Sequence, residues 1–298
     1  TEKLNKVLYG LSRQTYLPER IILLHTRDGI KLDVSACKDR VSVTEIPIPE
    51  KEFDHGRTRD LGIRMSDADI VVMMTQDAVP ADPFLLEKLS EVLNEHPDAV
   101  AAYARQIPDQ NCGLLEKYTR VFNYPPKSQI KSQKDLPKLG IKTYFCSNVC
   151  AAYKKSIYEE IGGFVKKAIF NEDMIYAAKA VEAGYAIAYA ADARVIHSHN
   201  YTNVQQFQRN FDLGVSQAEH PEVFAAYPSE SEGKRMVKDV TAYLRDHHMS
   251  GRLPHFYIQC ACKYAGYLLG KNYSRLPGKW VLAFTSNKEY WKQNRKDV

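Results

Sequence analysis

A chain of 298 residues with 44% apolar and 26% charged side chains can build one large domain, or a domain with an appendage, around an ordinary core. Its formal net charge of +5 is uneven: from Arg252 onward nine Lys and Arg stand against two acids, while the preceding residues are slightly acidic. That placement excludes a general nucleic-acid coat, and the want of a signal peptide or of a run near the roughly 18 apolar residues of a spanning helix argues against secretion and insertion.

In chain order, residues 2–11 have helical periodicity, 20–24 and 41–46 read as strands, and 58–67 as a helix. Ile70-Val71-Val72-Met73-Met74 reads as a fully buried strand that stops at Thr75-Gln76-Asp77. Asp82 and Pro83 then open a helix to about Asn94, as N-cap and first helical residue. Residues 99–105 return as a strand, and 144–153 form a further apolar run. Ser156 and Glu159 make a capping box for a short helix that Gly162-Gly163 stops. Residues 173–183 read as a helix closed by Gly184, 185–189 and 193–197 as two strands, and from about Gln205 the chain is helical and aromatic. The alternation predicts an α/β fold over 1–204, a mostly parallel sheet with helices on both faces, followed by a helical, basic and aromatic region over 205–298. Six scattered cysteines lack zinc-site spacing and read as reduced thiols of a cytosol.

Several clusters carry chemistry, each with a plainer alternative. Asp77, at the carboxyl end of a strand, is placed to hold a divalent cation against a diphosphate, or is a turn residue. In His55-Gly56-Arg57-Thr58-Arg59-Asp60 a helix start between two arginines suits phosphate oxygens, or is a capped surface helix. Glu172-Asp173 at a helix start is a working acid pair, or complements the helix dipole. His197-Ser198-His199 after a strand can ligate a metal, or are loop histidines.

Taken in this order, residues 53–62, 73–80, 142–153, Gly162-Gly163-Phe164, Glu172-Asp173-Met174 and 195–202 resemble the family 2 glycosyltransferases of GT-A fold. Within that family they resemble the bacterial rhamnosyltransferases of surface-polysaccharide synthesis. The resemblance covers most of residues 1–215. It implies an inverting, metal-dependent transfer of L-rhamnose from dTDP-L-rhamnose to a growing cell-surface polysaccharide or lipid-linked acceptor. It also implies roles by residue. Asp77 takes the last acid of the family's Asp-X-Asp motif and binds Mg2+ or Mn2+, with Thr75 at the first acid and Gln76 between. Asp173 is the general base and Glu172 orients it; His197, then His199, is the histidine for the metal or diphosphate. His55, Gly56, Arg59 and Asp60 line the nucleotide pocket, and Ser147 and Asn148 lie on a strand facing donor sugar and acceptor.

Family members usually begin with an apolar strand that holds the nucleobase, whereas this chain begins in the helix after it, and the strand at 20–24 ends on His25-Thr26 rather than on Asp or Asn. The expectation is an N-terminally shortened form whose sheet lacks that strand. Two other classes stay open. One is a sugar nucleotidyltransferase, against which stands the want of a Gly-rich loop followed by Arg and Lys near a first strand. The other is a catalytically silent glycan-binding or scaffold subunit, motivated by Thr75 and the missing strand. In the tail, Phe256-Tyr257-Ile258 and the aromatic runs at 264–269 and 280–284 interleave with Lys263, Lys271, Arg275 and Lys279. These are helices packed on the body with a solvated basic face, or an interfacial element on the anionic inner face of the plasma membrane.

Overall fold

The computed structural model describes residues 2–26, 29, 32–37, 39–227 and 230–294. Helix α1 (Glu2–Ser12) buries Leu4, Val7, Leu8 and Leu11, the stripe its sequence spacing predicts. Strands β1 (Arg20–His25) and β2 (Ser42–Pro47) pair in parallel as a sheet of their own. There follow α2 (His55–Arg64), β3 (Ile70–Met74), β4 (Val79–Pro80), α3 (Leu85–Glu95), β5 (Ala99–Ile107), α4 (Leu114–Asn123) and β6 (Gln129–Lys131). Next come α5 (Leu136–Leu139), β7 (Cys150–Lys154), α6 (Lys155–Glu160), α7 (Glu172–Glu182) and β8 (Ala186–Ile196). Helices α8 (Asn203–Glu219), α9 (Pro221–Phe224), α10 (Glu230–Asp246), α11 (Leu253–Lys271), α12 (Gly278–Phe284) and α13 (Lys288–Asn294) complete the described chain.

Strands β3 to β8 form one sheet in the order β3-β7-β5-β8-β4, with β6 also on β8. The α/β architecture is as expected, but the sheet is mixed: only β5 and β8 run parallel within it. Alternating elements fix the layers and not the direction, and β4 returns through a tight turn rather than a full crossover. The expected pair of strands at 185–189 and 193–197 is one strand, β8, whose break in pattern is a bulge: Ala104 pairs Ala190, while Arg105 pairs Arg194. Strand β3 is half-buried along its length, not fully buried, because it pairs only with β7 and forms an edge. Among the described residues no strand pairs with the free side of β3 or of β1.

Alternation along β5 separates two cores. Leu85, Leu89 and Leu93 of α3 press on the alanines at 99, 102 and 104, small residues that let the helix approach. On the other face Tyr103, Tyr153, Tyr158, Tyr176 and Tyr189 pack with Phe164 beneath α7. Two helix starts differ from expectation. Helix α3 begins at Leu85, since Asp82 Oδ1 accepts from Phe84 N and Gln14 Oε1 takes the Leu86 N–H. Helix α6 leaves β7 directly at Lys155, so Ser156 lies inside its first turn instead of capping it.

The C-terminal helices close on the body through glycines. A Cβ at Gly266 would lie 2.2 Å from the Phe207 carbonyl oxygen, and one at Gly270 2.0 Å from that of Phe211, so α8 and α11 touch backbone to backbone. Phe211 and Val215 of α8 share a core with Ile169, Val281, Tyr290 and Trp291. Tyr257, Ile258, Tyr264 and Leu268 of α11 remain exposed. All six cysteines are free thiols, and no described helix is long and apolar enough to cross a membrane.

Candidate active site

Two strand ends bring three ligand-bearing side chains together. Val79 of β4 pairs antiparallel with Ile196 of β8, so Asp77 just before the one faces His197 and His199 just after the other. Their ligand atoms all lie within 4.8 Å of one another. His197 Nε2 is 3.5 Å from Asp77 Oδ1, and His199 Nε2 is 3.3 Å from Asp77 Oδ2. Contact with His197 outweighs burial and holds the Asp77 carboxyl well below the ordinary carboxylate range. Burial and the neighbouring His197 push His199 down to about 4.

Buried Gln106 of β5 governs His197. Its Oε1, which only accepts, lies 2.9 Å from His197 Nδ1, so Nδ1 carries the proton and Nε2 turns toward Asp77 and His199. The same amide accepts from Arg120 and donates to Tyr124 OH (2.5 Å) and Ser147 Oγ (3.0 Å). The two histidine Nε2 atoms are 3.0 Å apart. Two lone pairs at that spacing repel unless a proton or cation lies between them, so the trio fits a divalent ion taking mixed carboxylate and imidazole donors, as Mn2+ does.

The second part of the site is the start of α7. Asn171 turns the chain with φ of +63°, a conformation Asn tolerates, and its side chain donates to Ser216 Oγ of α8. Asp173 Oδ2 accepts from Asn148 N (2.9 Å) and Oδ1 from Met174 N (2.8 Å). Asn148 Nδ2 donates to Glu172 Oε1 (3.0 Å), while Tyr153 OH donates to Asn148 Oδ1 (2.7 Å). Burial favours protonated Glu172, but Arg59, His55 and the Asn148 amide outweigh it and hold its pKa below the usual value. Burial and then the charge of Glu172 drive Asp173 the other way, upward.

Other expected residues lie as follows. Ser147 and Asn148 are in the loop before β7, not on a strand. Thr75 and Gln76 form the turn after β3, with Thr75 N bonded to Val149 O and Gln76 exposed. The start of α2 is capped by Asp54, whose Oδ1 accepts from Arg57 N. A Cβ on Gly56 would lie 2.0 Å from the Val165 carbonyl oxygen, so this glycine serves close backbone packing. The helix start is thus capped, as the plainer of the two readings has it. Asp60 has its oxygens taken by Tyr158 OH (2.9 Å) and Arg64 Nε (2.8 Å). His55 packs edge-on against Phe53, and burial is the largest influence lowering its pKa.

Sequence reasoning missed Gln106, Arg120, Tyr201 and Arg209. Gln106 left one trace, a polar residue beside Arg105 after an apolar run, just before the strand's last residue. Arg209 left none, since one arginine on an amphipathic helix looks like surface.

The sequence profile described as Glycosyl transferase family 2 matches residues 2–162. The O-antigen chain rhamnosyltransferase RfbN of Salmonella typhimurium is 38% identical over 288 residues, 96% of this chain and 90% of that protein. The O-antigen chain rhamnosyltransferase WbaN of Salmonella anatum is 36% identical over 295 residues, 98% of this chain and 92% of that one. Among solved structures, the mannosyltransferase PcManGT from Pyrobaculum calidifontis, in complex with GDP-Man and Mn2+, is similar with a TM-score of 0.55 at 14% identity. The match covers 98% of this chain and 81% of that one. TarS of S. aureus in complex with UDP-GlcNAc is similar with a TM-score of 0.53 at 11% identity, covering 91% and 87%.

Proposed function

This chain belongs to glycosyltransferase family 2, and on that premise we propose that it transfers L-rhamnose from dTDP-L-rhamnose, with inversion, to a growing cell-surface polysaccharide on a lipid-linked acceptor. Near full-length identity to two O-antigen chain rhamnosyltransferases supports the sugar. The observation that carries the cation-assisted chemistry is the convergence of Asp77, His197 and His199, and the PcManGT complex with Mn2+ is in keeping with it.

In this reading Asp77, His197 and His199 hold the cation. When bound, it supplies a Lewis acid for the charge that builds on the departing diphosphate. Asp173 takes the proton of the acceptor hydroxyl. Two backbone N–H groups fix both its oxygens, and its raised pKa matches the work of a base near neutral pH. Glu172 is committed to Arg59 and Asn148, which leaves one free carboxylate and no second to act as nucleophile. A single displacement with inversion follows.

Calorimetry with dTDP-L-rhamnose, UDP-glucose and UDP-galactose, with and without Mn2+, tests the donor and the cation together. Metal-dependent binding of the dTDP sugar alone is the expected result. Equal binding of the UDP sugars overturns the donor, and binding indifferent to Mn2+ overturns the cation role. Asp173→Asn is expected to bind donor normally and to lose transfer by about 10²- to 10⁴-fold; retained transfer means the base lies elsewhere.

The work is placed at the cytoplasmic face of an anionic membrane. Six free cysteines suit a reducing compartment. Lys271, Arg275 and Lys279 are exposed and neighbour the exposed Leu268 and Trp280 in the chain, Lys271 lying 3.4 Å from Glu230 Oε1. Each such cation adds about 1 kcal/mol at an anionic surface. Neutralising all three should release the protein from anionic liposomes, and undiminished binding removes the membrane role.

A further inference from the structure

Beside the site, among the described residues, Arg209 of α8 is a cation without an anionic partner. The Arg209 guanidinium lies 4.7 Å from the centre of the Tyr201 ring and 5.3 Å from that of Phe170. Tyr201 in turn stacks on His199, centroids 4.8 Å apart and planes at 24°, and His199 reaches Asp77. His199, Tyr201, Arg209 and Phe170 therefore form a series of flat groups. It runs from the cation trio to the residue that immediately precedes Asn171-Glu172-Asp173.

Four arginines of the catalytic body are matched: Arg59 with Glu172, Arg64 with Asp60, Arg120 with Glu116 and Arg194 with Asp82. Half-buried Arg209 has neither ion pair nor hydrogen bond among the described residues. Asp212, one turn along α8, feels its charge, but that carboxylate is occupied by Thr285 Oγ1, Ser286 N and Ser286 Oγ. A guanidinium offers five donors in a plane suited to two oxygens of a phosphate. Here two aromatic rings hold the guanidinium between them and its donors are unused among the described residues, so less ordering remains to be lost when an anion arrives.

We propose that Arg209 binds a phosphate of a diphosphate held in the cleft, across from the Asp77 trio. The inference rests on the nucleotide-sugar reading of that cleft. Two sources share the chemistry: the diphosphate of the donor, and a diphosphate linking an acceptor glycan to its lipid. In either case α8 supplies a charged contact to a site otherwise made by the strand-and-helix body.

The test uses the full chain with Arg209→Met and Arg209→Lys. Calorimetry follows dTDP, inorganic pyrophosphate and thymidine in the presence of Mn2+, and Mn2+ alone. For a donor phosphate, Arg209→Met weakens dTDP and pyrophosphate by roughly 10- to 100-fold, the range for lost hydrogen bonds to a charged group. Thymidine and Mn2+ affinities stay unchanged, and Arg209→Lys recovers part of the loss. For an acceptor phosphate, dTDP affinity is unchanged. KM then rises for a diphosphate-linked acceptor and not for the same glycan lacking the diphosphate. If Arg209→Met melts like the parent and alters neither, the proposal is overturned. Asp77→Asn separates the two levels. If it leaves dTDP binding intact while Arg209→Met does not, the cation assignment falls and Arg209 stands. The reverse pattern leaves the cation and removes Arg209 as a ligand of the donor phosphate, and an unchanged KM for the diphosphate-linked acceptor then removes it altogether.

Discussion

Replacing Gln106 should damage the cation trio without touching a ligand. The amide is 2% exposed and bonds His197, Arg120, Tyr124 and Ser147. Gln106→Met strips the acceptor from His197 Nδ1–H and the donor from Tyr124 OH, both in buried surroundings. An unsatisfied buried group costs about 1–3 kcal/mol, so roughly 2–6 kcal/mol of stability is at stake. Losing the group that orients a metal-ligating histidine lowers metal affinity about 10- to 100-fold, or about 1.4–2.7 kcal/mol. Gln106→Glu is the informative control. Its carboxylate still accepts from Arg120 and His197, and the Tyr124 and Ser147 hydroxyls can rotate to donate to it. Mn2+ titration followed by electron paramagnetic resonance, with thermal melts alongside, should show the Met variant weak for Mn2+ and the Glu variant near the parent. A folded Gln106→Met protein with parental Mn2+ affinity would refute the orienting role.

Other consequences follow from buried charge and from close backbones. As the proposed base, Asp173, which burial and Glu172 push up to about 7, must be deprotonated, so kcat/KM should fall as pH drops through the neutral range instead of the usual carboxylate range. A profile flat down to the ordinary carboxylate pKa contradicts this. The folded state favours the protonated acid, so ionising it costs stability. The melting temperature of the parent should therefore fall relative to Asp173→Asn as pH rises from about 5 to about 8, and parallel curves would argue against it. Gly270→Ala should cost about 1–3 kcal/mol, because its Cβ would lie 2.0 Å from the Phe211 carbonyl oxygen and force α8 and α11 apart. Gly233→Ala in α10, where a Cβ meets nothing within 4 Å, should instead gain about 0.5–1 kcal/mol in denaturant titration.

Elements with strong periodicity were legible: α1, β1, β5 and α7 lie within a residue or two of where spacing puts them. Asp77, His197 and His199 were legible as candidates because each follows an apolar strand. Strand direction was not, since Val79-Pro80 and Gln129-Ile130-Lys131 are too short to carry a pattern, yet both set the pairing of β8. Ser147 and Asn148 read as strand because Phe145, Cys146, Val149 and Cys150 are apolar on either side. In the structure a loop there lets Asn148 serve Asp173 and Glu172 at once. Gln106 and Arg209 escaped for the same reason. Each is a polar residue whose partners lie on other elements, Arg120 and His197 for Gln106, Tyr201 and Phe170 for Arg209, and no local pattern announces a tertiary hydrogen bond or a cation over a ring.

Strand β8 is the last strand of the sheet to be made. It takes β5 on one side and β4 and β6 on the other, so the sheet cannot be completed until its residues leave the ribosome. Between Ile107 and Ala186 lie 78 residues, which at about 5–20 residues per second means a wait of roughly 4–16 s. During that interval β5 is a finished strand with an open ladder. Ala101, Ala102 and Ala104 sit on it, and methyl groups offer a passing chain little to hold. Ala102 and Ala104, which let α3 approach, thus also keep that face of β5 small and short of apolar area while β8 is still being translated.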